Sequence, residues 1–333
     1  MTVVATGIGS LPSEDFAEAV RVVLGELPDL PHLPELPARG ATANMTGRTL
    51  ALVTGLDADL QPAGWRLTGS SGSPGLDHRR ARSLLAQDLD TLEELTQGYE
   101  GTFKVQVTGP WTLAATVERP RGDRILADHG ARRELAQALA EGVREHVADV
   151  RRRVGGADRL VVQVDEPALA SVLAGKVPTA SGFGRHRSID APEASDTLGW
   201  VLGAIAEVGA EPWVHSCAPD TPLGLLRGAG AQGLAVDLSV LGAADHDALA
   251  EALEAGGTVA LGVVPSLAPP TGLTDKDVVE RVQRWLDMLG LDPEEVGTQL
   301  VITPACGLAG ADWSWARQAL ALARSGAAAL DGR

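Results

Sequence analysis

The 333-residue chain has little cysteine, two residues, and few aromatic side chains, at 3%. Two cysteines cannot build a disulfide framework; Cys217 and Cys306 allow at most one bridge. Such sparing use fits a reducing compartment. Lysine is scarce as well, with only Lys104, Lys176 and Lys276. Positive charge is short overall: 28 Lys and Arg face 44 Asp and Glu, giving −16 at pH 7. A chain this acidic exerts no long-range attraction on nucleic acid or an anionic membrane, so neither partner is expected. No apolar run reaches the roughly 18 residues that a membrane span needs. The N-terminal residues lack the basic-then-apolar order of a signal peptide. A soluble, cytoplasmic protein is therefore expected. What is present is an apolar content of 44%, enough to bury a large core and to exclude a disordered chain.

Short apolar runs alternate with longer stretches of helical periodicity. The runs Thr2–Ile8, Phe103–Thr108, Leu160–Val164, Pro212–His215, Gly233–Leu238, Thr258–Val264 and Gln299–Thr303 read as buried parallel strands, and Gly64–Thr68 as a weaker eighth. Between them, Asp77–Tyr99, Ala131–Val154, Ala194–Val208, His246–Ala255, Asp275–Leu289 and Ala311–Arg324 read as helices, with Ser13, Asp77, Thr274 and Asp312 as candidate caps. Up to eight strands alternating with helices fit a (β/α)8 TIM barrel spanning 1–333 as one unit, with a doubly wound open sheet as the rival. Thr68–Gly75 reads as a flexible loop, and the proline-rich Leu27–Pro37 as an excursion of extended chain.

In a barrel, chemistry gathers at the carboxyl ends of the strands. His215 and Cys217 end one run, two residues apart and so on one side of an extended chain. Cys306 follows the last strand, and Asp237 ends an intervening one. Two thiolates, an imidazole and a carboxylate are a plausible zinc set. The plainer reading stands beside it: two small buried cysteines, a core histidine and an aspartate capping a helix. Asp165 and Glu166 close the run ending at Val164; they would orient an amine or serve as acid and base. For Glu166, helix initiation with Pro167 is an equal alternative. The backbone and hydroxyl of Ile8, Gly9 and Ser10 can receive a carboxylate. Trp111 walls a pocket or belongs to the core.

These elements, in this order, resemble the C-terminal catalytic barrel of the cobalamin-independent methionine synthase family. The matching stretches are IGSLP at 8–12, TGPWTLA at 108–114, VDEPAL at 164–169, HSC at 215–217, VDLS at 236–239 and PACGL at 304–308. The resemblance covers nearly the whole chain and implies the short, core form of an enzyme whose longer members carry a second barrel. It implies Zn²⁺ held by His215, Cys217 and Cys306, with Asp237 where the family usually has Glu. It implies homocysteine as acceptor, its amine on Asp165 and its carboxylate on Ile8–Ser10, and a methylfolate or a methyl-corrinoid as donor. Two departures point towards the corrinoid: Leu267 stands where the family has a histidine proton donor, and Thr116 where it stacks a pterin on Trp. Glu35 is the nearest candidate for a further substrate-binding carboxylate. A transferase acting on another small thiol, and a non-catalytic thiol- or metal-binding paralogue, are the alternatives.

Overall fold

The computed structural model describes residues 3–69 and 74–332, so half of the loop expected at Thr68–Gly75, residues 70–73, lies outside the described residues. In chain order the strands are β1 (Val4–Ala5), β2 (Asp57–Gln61), β3 (Gly64–Gly69), β4 (Gly101–Thr108), β5 (Ala157–Asp165), β6 (Glu211–Ser216), β7 (Gly233–Asp237), β8 (Thr258–Val264) and β9 (Leu300–Pro304). Seven of them form one parallel sheet in the order β1-β9-β8-β7-β6-β5-β4, the curled sheet of a TIM-barrel-like α/β fold. Each of the seven runs read as a parallel strand contributes to it. Helices cover the outside, which is why Leu160, Val162 and Val164 on the outer face of β5 are buried, while Gln163 and Asp165 alternate with them on the inner face.

The two edges of this sheet, β4 and β1, meet through the proline-rich segment. Lys104 N–H donates to Pro31 O (2.9 Å) and Leu33 N–H to Lys104 O (2.8 Å). On the other side Glu35 N–H donates to Gly9 O (3.1 Å) and Leu11 N–H to Glu35 O (2.9 Å). Residues 31–35 thus stand between β4 and the end of β1 and complete the ring. Pro31 and Pro34 have no N–H to give, so the pairing shrinks to isolated bridges and no regular strand forms. The segment expected to be an excursion is therefore part of the wall. The expected eighth strand is not: Gly64–Gly69 pairs antiparallel with Asp57–Gln61 in a separate hairpin.

The helices follow the expected stretches closely, as in Leu76–Leu95, His129–Arg153, Ala191–Glu207 and Asp275–Leu289. Thr274 and Asp312 cap helices as expected. Ser13 and Asp77 do not: Asp15 caps the first helix, while Ser13 accepts from its N–H, and the helix containing Asp77 starts from Gly75. No described helix is long and apolar enough to cross a membrane.

His146, on the helix His129–Arg153, is buried, and burial pushes its imidazole down to about 4. The fold therefore holds it neutral while the unfolded chain binds a proton below about pH 6.5. The stability that depends on its neutrality is complete above that pH and is lost as pH falls towards 4. A His146→Leu variant should accordingly gain on the wild type as pH falls through this window, by up to about 3 kcal/mol. Thermal unfolding of both proteins from pH 7 to 4 reads this; a difference that does not change with pH would refute it.

Candidate functional site

The carboxyl ends of the strands surround a cavity of about 510 Å³ whose wall includes Ile8, Gly9, Ser10, Glu35, Asp165, His215, Cys217 and Cys306. Neighbouring strands fix these groups side by side. Asp165 is the register partner of His215. Gly109 N–H donates to Asp165 O (2.8 Å) and Glu166 N–H to His215 O (2.9 Å), so the TGP, DEP and HSC stretches are tied together at the rim. Across the ring, Leu308 N–H donates to Ser10 O (2.8 Å) and joins the CGL turn to the IGS turn. Gly9 has no room for a side chain, since a Cβ there would lie 2.8 Å from the amide nitrogen of Gln106.

His215, Cys217 and Cys306 come together: their potential ligand atoms all lie within 4.8 Å of one another. In the structure the two sulfurs are joined as a disulfide, with Cα atoms 5.8 Å apart. This is the one bridge the cysteine count allowed. His215 Nδ1 lies 3.0 Å from the carbonyl of Ala235, which fixes the tautomer with the proton on Nδ1. Nε2 then keeps its lone pair and faces Cys306 Sγ at 3.9 Å. Burial holds the ring down to about 4, so it is neutral at pH 7 and fit to be a ligand.

Asp237 stands apart from this group. It ends β7 as expected, but its Oδ1 accepts from Ser239 N–H (2.8 Å) and Oγ–H (2.7 Å), making it the cap of the turn that follows. Its side chain is one methylene shorter than glutamate and is spent on its own loop. Glu166 is also placed away from the cavity. Its carboxylate accepts from Trp111 N–H (2.8 Å), Thr112 N–H (2.8 Å) and Thr112 Oγ–H (2.7 Å), clamping the start of the helix Pro110–Thr116. Burial nevertheless pushes it up to about 7. Trp111 is fully buried and donates through Nε1 to Ala194 O (3.0 Å), so it packs one helix on another and does not wall the cavity. Leu267 is exposed on the loop after β8 and brings no acid.

Asp165, Glu35 and Lys104 form the floor beneath the cavity. Lys104 is wholly buried; its ammonium donates to Ile8 O (3.0 Å) and to Gln163 Oε1 (2.8 Å). Gln163 Nε2 donates to Ile8 O (3.0 Å) and to Asp165 Oδ1 (2.7 Å). One frame thus holds both the Ile8–Ser10 turn and the Asp165 carboxylate. Burial drives Lys104 down to about 7 against the pull of Asp165 and Glu35. Burial also raises Asp165, with Glu35 adding to it, and raises Glu35 against the opposing pull of Arg48, whose Nε is 3.6 Å away. Two acidic groups whose charge is costly, facing a cavity, make a site that gains by receiving a cation. Glu35 was only a weak candidate from the sequence. Lys104, Gln106 and Gln163 were missed, although their alternation with Phe103, Val105, Val107, Val162 and Val164 marks a polar inner face.

A family described as "Cobalamin-independent synthase, Catalytic domain" matches residues 92–329. Among solved structures, a B12-independent methionine synthase from Shewanella sp. W3-18-1, in complex with selenomethionine, superposes with a TM-score of 0.65 at 14% identity, covering 100% of this chain and 98% of that one. At that identity the likeness speaks for the fold. A 3-hexulose-6-phosphate synthase from Salmonella typhimurium, at 13% identity and covering 100% and 99% of the two chains, reaches a TM-score of only 0.38, too low to carry an argument. No curated protein matches the sequence.

Proposed function

The chain belongs to the cobalamin-independent synthase family, whose catalytic domain it matches over residues 92–329, and on that premise we propose that it moves a methyl group onto the thiol of homocysteine, giving methionine, with zinc as its metal. The observation that supports this most is the meeting of His215, Cys217 and Cys306 in a cavity that also presents Asp165, Glu35 and the Ile8–Ser10 turn.

Two sulfurs and one imidazole nitrogen are donors that zinc favours, and three ligands from the chain leave a coordination position for the substrate. Ligation requires both cysteines as thiolates, so the active protein belongs in a reducing compartment. Zinc held there would supply the Lewis acidity that keeps the substrate thiol ionised at neutral pH. Asp237 as placed is not a ligand in this scheme.

The chain's own groups do the rest. Asp165 has one oxygen taken by Gln163 and offers the other to the substrate ammonium, with Glu35 as its companion. The amides and hydroxyl of Gly9 and Ser10 receive the substrate carboxylate. These contacts hold the amino-acid end still while the thiolate takes the methyl group from the donor. Neither Glu166 nor Trp111 takes part directly; both support the wall behind Asp165.

Lys104 sets the position of both recognition elements. Lys104→Met should raise the KM for homocysteine by about tenfold or more, because Ile8 O and Gln163 each lose a charged donor, while kcat changes less. Steady-state kinetics read this; an unchanged KM would remove Lys104 from the role.

The function itself is tested with reduced, zinc-replete protein, homocysteine, and either methyltetrahydrofolate or methylcobalamin as donor. Methionine should form with at least one. Tight homocysteine binding without methionine from either donor would favour the non-catalytic reading, which the exposed Leu267 at the acid's position supports.

A further inference from the structure

Behind Glu35 runs a row of side chains of alternating charge: Glu35, Arg48, Asp88 and Arg39. Arg48 Nε lies 3.6 Å from Glu35 Oε1. Arg48 Nη1 donates to Asp88 Oδ2 (3.0 Å). Arg39 meets the same carboxylate with both terminal nitrogens, Nη1 on Oδ1 (2.8 Å) and Nη2 on Oδ2 (2.7 Å). Glu35, Arg48 and Asp88 are all buried, and of the four it is Glu35 that stands in the cavity wall.

A different piece of chain places each member. Asp88 is on the helix Leu76–Leu95, in a buried stripe with Ala81, Leu85, Leu89 and Leu92. A carboxylate in such a stripe is costly unless cations meet it, and two guanidinium groups do. Arg48 is on the helix Met45–Leu52, whose first residues, Met45 and Thr46, line the cavity. That helix is fixed in place. Asn44 caps it by accepting from Gly47 N–H (2.8 Å), and Thr49 Oγ1 accepts from Thr108 N–H (2.8 Å) at the end of β4. Gly47 has no room for a side chain, since a Cβ there would collide with Ala41 O. Arg39 lies over the ring of Phe16, 5.5 Å from its centroid.

The groups that face Glu35 are Arg48, Lys104, Gln106 and Asp165. Burial raises Glu35, and Arg48 gives the largest opposing pull, ahead of Lys104. Arg48 Nε has no hydrogen-bond partner among the described residues, so that buried donor is left for Glu35. Two neighbouring carboxylates resist being charged together, and a cation behind one of them removes part of that cost. A planar guanidinium already pinned by Asp88 loses little freedom in doing so.

We propose that Arg48 and Asp88 are positioning residues for recognition of a substrate ammonium: Asp88 fixes Arg48, and Arg48 holds Glu35 as the charged companion of Asp165. That the ammonium belongs to homocysteine rests on the methyl-transfer reading; that the site takes a cationic amine does not.

Calorimetry on the reduced, zinc-replete full chain tests this from pH 8 to 6. The probes are homocysteine and 4-mercaptobutyrate, which is homocysteine without its amine. Arg48→Met should weaken homocysteine about tenfold at pH 7 and leave 4-mercaptobutyrate unchanged. The loss should grow as pH falls, because Glu35 without Arg48 takes up its proton at higher pH; the ratio of the two probes cancels the titration of the thiol. Arg48→Lys should recover most of the affinity, since the charge returns. Asp88→Asn should weaken homocysteine about threefold, again with 4-mercaptobutyrate unchanged. No homocysteine binding by the wild type, equal losses on both probes, a loss that is the same at every pH, or an Arg48→Lys protein as weak as Arg48→Met would overturn the proposal. Amine-selective losses in a protein forming no methionine from any donor would uphold it while the methyl-transfer reading fails; methionine formation with both probes weakened alike would do the reverse.

Discussion

Cys306→Ser should strip the metal and stop the reaction. Reduced wild-type protein is expected to hold about one zinc per chain, and the variant at least about 100-fold more weakly, because a serine hydroxyl is not ionised at pH 7 as a zinc-bound thiol is. Methionine formation from homocysteine should fall below about 1% of the wild type for the same reason. The effect should be confined to the site. Cys306 is only partly buried and lies beyond β9, so the secondary structure of the variant should survive. His215→Ala should behave alike, since its Nε2 faces the same sulfur at 3.9 Å. Asp237→Asn should not, because that carboxylate is committed to Ser239. Zinc by atomic absorption and methionine by chromatography, on all three variants, check this. A Cys306→Ser protein with full zinc would remove the residue from the site, and loss of zinc in Asp237→Asn would restore the fourth ligand.

Asp165→Asn carries the second large effect. The neutral amide still meets Gln163, but the charge facing the substrate ammonium is gone. Removing one partner of a buried charged pair costs about 3–5 kcal/mol, so kcat/KM for homocysteine should fall by about 150- to 5000-fold, chiefly through KM. The loss should depend on the amine. With 4-mercaptobutyrate, which is homocysteine without its amine, wild type and variant should react alike. An equal loss on both thiols would mean that Asp165 supports the wall and does not recognise the amine.

The strands were legible because parallel strands buried on both faces leave short runs rich in Val, Leu and Ile, as in Leu160–Val164, which only Gln163 interrupts. Thr274 and Asp312 were legible as caps because capping chemistry is local. Residues 31–35 were not legible as barrel wall. Proline hides a strand by removing the N–H groups that define it, and only the long-range bonds to Lys104 and Gly9 show what the segment does. The same distance in sequence hid the gathering of site groups: Ser10 meets Cys306–Leu308 only through closure of the ring. For Asp237 the sequence left ligand and cap both open, because a carboxylate at a strand end serves either; in the structure its Oδ1 accepts from Ser239 as a cap. Trp111 misled for a related reason: a helix start beside a strand end has one face on the cavity and one on the core. The joined sulfurs of Cys217 and Cys306 agree with the cysteine count and with a shared pocket alike.

The central claim is that both cysteines and the substrate sulfur gather on one zinc. Zinc-edge X-ray absorption of the reduced protein, with and without homocysteine, tests it directly. The expected result is a shell with the two sulfurs of Cys217 and Cys306, gaining another sulfur when homocysteine is added. A shell of nitrogen and oxygen only, or a sulfur count that homocysteine leaves unchanged, would contradict it.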